Sequence, residues 1–527
     1  MKSVMKHQFA NVPRAEIPRS SFNRSHGHKT TFDAGYLVPF FVDEALPGDT
    51  FNLRATLFAR MATPIAPIMD NLVMDVHYFA VPIRLVWDNF QRMMGERIDP
   101  DDSTDYLVPV VDYNVSSAGK VQVGELADYF GWPTDVGPVQ DHCVVGSALW
   151  HRAYNLVWNE WFRDQNIQDS VDVPRGDGPD DPDDYMLLKR GKRHDYFTSS
   201  LPWPQKGPGV ELPLGDAAPI VSTGVLQLDE DGAGTGVSNL FRLSGSSNAG
   251  LLLQSAGSSV QTMQYHSGLE ADLSGATAAT INSLRQAFQL QKLLERDARG
   301  GTRYVELIKS HFGTVSPDAR LQRPEFLGGA SIPISINQVE QTSSTDETTP
   351  QGNLAAYGIA AGSGNGFVKS FTEHTLILGL VSVRADLTYQ QGLPKMFQRR
   401  SRYDFYWPAL AHLGEQAVLN KEIYFSASDD DDDVFGYQER WAEYRYFPSK
   451  ITGKFRSTYA QSLDLWHLSQ EFDELPTLSP EFIEENPPVD RVVAVPSEPH
   501  FLFDSFLELK CARPMPVYSV PGMIDHF

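Results

Sequence analysis

Long apolar runs are missing from this chain of 527 residues. The longest, Leu376–Val383, is strand-sized and far short of the roughly 18 residues that a membrane-spanning helix needs. The opening stretch MKSVMKHQFANVP carries charge with no apolar segment behind it, which predicts no secretory signal and synthesis in the cytosol. Cysteine is almost absent. Cys143 and Cys511 are too few for a disulfide framework or a thiolate metal site. Catalytic signatures are absent as well. Gly–Lys pairs begin at 119, 191 and 453, but none has the glycine five positions earlier that a phosphate-cradling loop requires. GAGTG at 232–236 completes no dinucleotide fingerprint, and there is neither an HExxH pair nor a nucleophile elbow. No enzyme and no cofactor are expected.

Positive charge is scarce overall and concentrated where it occurs. Lys and Arg total 44 against 67 Asp and Glu, a net −23. Yet residues 1–30 hold Lys2, Lys6, Arg14, Arg19, Arg24 and Lys29 against Glu16 alone, with His7, His26 and His28 among them. That segment is +5, so the remainder is −28. A basic extended arm (1–30) on an acidic body predicts two faces with different partners, although short basic termini also serve mere solubility. Two histidines on such an arm, His26 and His28, do not by themselves make a metal site.

The dominant pattern is alternation. In NLRATLFAR (52–60) Leu53, Ala55, Leu57 and Ala59 share a side. In 501–511, Phe501, Phe503, Leu507, Leu509 and Cys511 share one face, with Asp504, Glu508 and Lys510 on the other. Val73–Val81 has strand composition, and Thr375–Val383 is apolar on both faces, as a central sandwich strand would be. Period two with long Pro-, Gly- and Asp-rich connections predicts a mainly β, antiparallel sandwich whose loops carry much of the mass. A few helices accompany it. Residues 148–164 and 281–296 repeat apolar side chains at helical spacing and read as amphipathic helices laid on something apolar.

Residues 222–280 are foreign to the rest. They hold nine Gly and ten Ser, with no Pro, Trp or Lys. Such a stretch cannot fill a core. It reads as an ordered surface insertion (209–280), with a disordered linker as the alternative. It divides the sandwich into 31–208 and 281–527. Three acidic runs follow their own logic. Asp429, Asp430, Asp431, Asp432 and Asp433, the cluster 177–184 and the cluster 99–102 read as solvated loops; Ca2+ capture by crowded oxygen ligands is the alternative, without the spacing of an EF-hand.

The basic segments have a clearer physical use. Cations neutralise phosphates and nearby rings stack unpaired bases. Phe9, Phe22 and Phe32 lie among the arm's cations. Arg399, Arg400 and Arg402, followed by Tyr403, Phe405, Tyr406 and Trp407, form the densest basic–aromatic patch outside it. Lys189, Arg190, Lys192, Arg193 and His194 form another. For both internal patches, ion pairing with the acidic body is an equal alternative.

Five blocks then resemble a known family: KTTFDAGYLVPFFVDEALPGDTFNLRATLFARMATPIAPIMDNLVMDVHYFAVPIRLVWDNF (29–90), RAYNLVWNEWFRDQN (152–166), KRHDYFTSSLPWPQKG (192–207), SPDARLQRPEFLGG (316–329) and YSVPGMIDHF (518–527). They are similar to the major capsid proteins of the Microviridae, of the gokushovirus type. The resemblance implies a viral jelly roll, self-assembly into a T=1 icosahedral shell, and a circular single-stranded DNA genome inside. It implies minor virion partners such as a DNA pilot protein and a small basic DNA-binding protein, a host-cell surface receptor, and no membrane insertion. It implies assembly in the host bacterial cytoplasm and an insertion raised as a protrusion at the threefold axes. A jelly-roll carbohydrate-binding or glycan-hydrolysing surface protein is the competing reading.

Overall fold

A computed structural model describes residues 18–116, 119–136, 144–210, 220–230, 263–271, 281–314, 322–343 and 351–518. The chain divides into two compact units, 1–204 with 314–527, and 205–313.

The larger unit is built on nine antiparallel strands: β1 (Ser20–Asn23), β2 (His26–Phe32), β3 (Val38–Ala45), β4 (Thr50–Met61), β5 (Leu72–Pro82), β6 (Glu325–Glu340), β7 (Leu354–Ser370), β8 (Thr375–Ala385) and β9 (Phe501–Arg513). Their order is β1–β9–β4–β7–β6–β5–β8–β3, with β2 also paired to β9. Two long strands turn the corner between layers. β7 pairs with β4 through Ile359–Ser370 and with β6 through its first residues, while β6 pairs with β5 through Glu325–Ile334. The sheet therefore curls on itself into a jelly-roll β-sandwich. Where β7 bulges against β4, a Cβ on Gly366 would overlap the Leu53 carbonyl oxygen, so only glycine fits.

Alternation sets the core. Phe51, Leu53, Ala55, Leu57 and Ala59 of β4 and Phe501, Phe503, Leu507, Leu509 and Cys511 of β9 point inward, and all are buried. They meet Phe40, Met74, Val76, Tyr78 and Val381 of the opposite layer. Phe40 touches Phe503 edge-on at 5.6 Å and Tyr78 at 5.8 Å, so aromatic rings lock the layers together.

β8 is apolar on both faces for a reason beyond its central place. Its inward residues join the sandwich, whereas Leu376, Leu378 and Leu380 join a second core. That core is closed by α1 (Leu149–Val157), Trp87 and Trp158. The expected amphipathic surface helix is thus buried nearly all round: His151, Arg152 and Asn155 are as inaccessible as Ala153 and Val157.

The second unit contains an antiparallel hairpin, Ile220–Glu230 with Met263–Ala271, followed by α2 (Ile281–Arg299) and α3 (Tyr304–Phe312). The unit is wider than the insertion expected over 209–280, because both helices belong to it. The apolar pulse at Val225-Leu226 lies in the hairpin; those at 240–241 and 251–253 lie outside the described residues. Gly313 at φ 68° closes α3. α2 covers the centre of its apolar stripe and leaves the margins open: Leu284, Ala287 and Leu294 are half-buried, while Ile281, Phe288, Leu290 and Leu293 are exposed.

Candidate nucleic-acid interface

Of the six cations proposed on the arm, Lys2, Lys6 and Arg14 lie outside the described residues. The other three are not on a free arm. From Ser20 the chain enters the sheet, and β1 and β2 pair along β9. Arg19 donates to Thr50 Oγ1 at 2.7 Å. Arg24 is committed to Asp43, whose carboxylate is nearly buried, at 2.6 Å. Lys29 faces Asp504 at 3.1 Å, with both side chains open to water. An exposed pair of that kind contributes about 0–1 kcal/mol, so Lys29 exchanges Asp504 for a phosphate at little cost.

Arg399, Arg400 and Arg402 lie on a run of short 3-10 turns, Lys395–Phe397, Arg402–Asp404 and Pro408–Leu410. Asp404 shapes the turn by accepting the Arg400 and Ser401 N–H groups at 2.8 and 2.7 Å, and these bonds hold its carboxyl below the usual range. Arg399 is absorbed by the body: it pairs with Glu443 at 3.3 Å and lies 4.2 Å over the Tyr444 ring. Arg400 and Arg402 are exposed and have no carboxylate partner among the described residues. Arg402 stacks 4.8 Å over Trp407, whose indole N–H donates back to the Arg402 carbonyl. The guanidinium is thereby held over an indole face while remaining exposed to an anion.

A second segment, unmarked in the sequence reading, completes this surface. Tyr406 touches Trp441 at 5.7 Å, joining 395–407 to 440–459. There Arg440 lies over Trp441, Lys450 over Phe447 and Lys454 over Tyr459. The two segments carry nine cations, Lys395, Arg399, Arg400, Arg402, Arg440, Arg445, Lys450, Lys454 and Arg456, against Asp404 and Glu443, hence +7 on a chain of −23. Tyr403, Phe405, Trp407, Tyr446, Phe447 and Tyr459 are exposed beside them. Lys395, Arg399 and Arg445 are paired with Glu422, Glu443 and Glu439; the other six cations and the rings open to stacking are the two elements of single-strand binding. The signal in the sequence was cations spaced singly between aromatics, not adjacent to one another.

The remaining charge clusters serve the fold. Lys192 is buried, donating to Gln470 and the Phe482 carbonyl, and burial lowers its amine to about 8. Arg190 pairs with the buried Asp75 at 2.6 Å. The ion-pairing alternative therefore holds for Arg190, whereas Lys192 is spent on neutral acceptors inside the fold.

The cluster 177–184, expected as a solvated loop, is a structural clamp. Asp177 accepts the Trp87 indole N–H at 2.8 Å, and Asp180 is buried against Arg152 at 2.6 Å. In the third run, Asp431 turns inward to accept N–H groups of Ser426 and Ala427, while Asp432 pairs with Lys421. Hydrogen bonding holds the Asp431 carboxyl below the usual range. The carboxylates of 429–433 do not converge, and no group of three or more metal-binding side chains forms among the described residues.

A curled antiparallel sandwich with long decorated loops is a jelly-roll architecture, one that viral shell proteins share with other classes. The family described as "Capsid protein (F protein)" matches residues 10–523, and the chain belongs to that family. It is 48% identical over 540 residues to the capsid protein VP1 of Bdellovibrio phage phiMH2K, covering 99% of this chain and 98% of that protein. It is 44% identical over 595 residues to capsid protein VP1 of Chlamydia phage 1 (99% and 98% covered). It is 37% identical over 545 residues to capsid protein VP1 of Spiroplasma virus 4 (98% and 97% covered). The resemblance to gokushovirus capsid proteins of the Microviridae therefore holds along the whole chain. The chain is a structural capsid protein of the virion and not an enzyme, which sets aside the glycan-hydrolase reading. No described helix is long and apolar enough to cross a membrane.

Proposed function

We propose that this capsid protein closes into a T=1 icosahedral shell around a circular single-stranded DNA, with 395–407 and 440–459 facing the genome. The observation that carries the reading is exposed Arg400 and Arg402 among exposed rings, on an otherwise strongly acidic subunit. An acidic body keeps finished particles apart, while a confined basic face retains the strand. The exposed apolar side chains of α2, Ile281, Phe288, Leu290 and Leu293, support burial against neighbouring copies, as a closed shell supplies. The arm cations Lys2, Lys6, Arg14 and Lys29 add to the genome-facing charge. The insertion 209–280 stands as the outward protrusion that meets a host-cell receptor. A DNA pilot protein and a small basic DNA-binding protein join the same particle, which is assembled in the host bacterial cytoplasm.

The test is particle formation with and without the charge. Particles assembled from the native chain are expected to protect circular single-stranded DNA from nuclease. Those carrying Arg400→Gln and Arg402→Gln are expected to form the same shells and to protect less. Equal protection by both would refute the assignment of this surface.

A further inference from the structure

Beside the basic–aromatic surface lies a cavity of about 350 Å3, in the range that holds a small ligand. Its floor is aromatic, formed by the buried Tyr196 and Phe197 and the half-buried Tyr389. Its mouth is aromatic and open: Phe397, Tyr446 and Phe447 line it and are more than half exposed. Lys450 and Arg456 stand at the rim, Lys450 already 5.3 Å over the Phe447 ring.

The cavity's carboxylates are spoken for. Glu422 accepts from Lys395 Nζ at 2.9 Å and from the Tyr196 hydroxyl at 2.9 Å. Glu443 accepts from Arg399 at 3.3 Å and from Gln416 at 2.7 Å. With both acids neutralised in place, Lys450 and Arg456 leave the mouth electropositive. Arg456 is anchored through the Gln390 carbonyl at 2.7 Å, which fixes it at the entrance. The hydroxyls of Ser449 and Thr452 stand along the same wall. An apolar slot with ring faces, a few hydroxyls and a cationic lip matches a planar heterocycle carrying a phosphate.

We propose that this cavity is a nucleotide pocket that receives one unpaired base of the packaged strand, its phosphate held at the lip by Lys450 and Arg456. The proposal rests on the genome-facing reading of 395–407 and 440–459 and adds a site to it. Phe447 provides the stacking face. Because every base has a π-face, the pocket accepts bases with little regard to sequence. Each subunit then holds the strand at one fixed point, between stretches bound only through their phosphates.

The measurement is equilibrium binding of the full-length chain to a labelled oligothymidylate, and to an abasic deoxyribose-phosphate strand of equal length, at fixed salt. The native protein is expected to prefer the thymidylate strand about ten-fold or more. Phe447→Ala is expected to remove that preference while leaving the abasic strand's affinity unchanged, and Phe447→Trp to retain it. Phe447 is exposed, so neither change disturbs the core. Lys450→Gln is expected to weaken both strands. Equal affinity for the two strands in the native protein overturns the pocket while leaving the phosphate-binding surface standing. Failure to bind either strand at low salt overturns both. Tighter binding of free thymidine monophosphate than of the strand assigns the cavity to a soluble nucleotide, and an apolar peptide that fills it without displacing the strand assigns it to a protein partner; either result overturns the proposal.

Discussion

Asp180→Ala is expected to be among the most damaging single substitutions in the larger unit. Arg152 is fully buried on α1, and the Asp180 side chain is only 4% exposed. Two bonds join them, at 2.7 and 2.6 Å, and Tyr185 adds a hydroxyl bond to the same carboxylate at 2.5 Å. Burial opposes the guanidinium's charge, yet its bonds to Asp180 outweigh that and raise its pKa above the ordinary value. Arginine cannot shed its proton to escape. Removing Asp180 therefore strands a buried cation that keeps neutral partners alone, the carbonyls of Val86 and Gly176 and the Tyr185 hydroxyl. The cost of such a break is about 3–5 kcal/mol, a large share of the 5–15 kcal/mol typical of folded proteins. Replacing both partners, Arg152→Met with Asp180→Leu, removes the charge along with its counter-charge and is expected to cost much less than the sum of the single changes. Urea unfolding followed by tryptophan fluorescence reads all four corners of this cycle, since Trp87 and Trp158 sit in the same core. A loss below about 1 kcal/mol for Asp180→Ala, or strict additivity in the double variant, would refute the reasoning.

Acid should weaken the fold through His77. Burial, reinforced by the charges of Arg190 and Arg384, pushes its pKa down to about 4, so it stays neutral in the folded chain while the unfolded chain takes up a proton below about 6.5. Stability is expected to fall by about 2 kcal/mol between pH 7 and pH 5 from this group; His77→Gln should flatten that limb, and an unchanged pH dependence would count against it. Arg400→Gln with Arg402→Gln is expected to reduce the slope of log affinity against log salt for single-stranded DNA by about 0.7 per lost phosphate contact; an identical slope would place both residues off the strand. Deleting residues 2–17 should lower DNA content while sparing folding, whereas deletion through 29 should also lose soluble subunit, because β1 and most of β2 go with it. Equal solubility of the two truncations, by sedimentation of the expressed chain, would contradict that distinction.

The strands of the sandwich were readable because each half-buried segment alternates on its own, as in Leu53 to Ala59 and Phe501 to Cys511. What escaped depends on residues distant in the chain. Residues 20–30 looked like part of a free arm, since their partner β9 lies far away in the sequence. The acidic cluster 177–184 looked solvated because nothing nearby announces that Asp180 answers Arg152. α1 looked amphipathic because its buried Arg152, His151 and Asn155 mimic a polar face. The cations Arg399, Arg400 and Arg402 were legible as a dense run. Their companions at 440–459 were not, being dispersed among acids and aromatics. The fate of Arg399, absorbed by Glu443, required the fold to decide.

β9 sits between β2 and β4, and Lys29 and Asp504 meet across 475 positions of chain. A ribosome translating this message must release β9 before that layer can close. Until then the nascent polypeptide exposes sheet edges and a half-built interior, and pairing over so long a loop is slow. Subunits competent to tile thus emerge only once β9 has been made and paired, which protects a growing shell from incorporating unfinished copies.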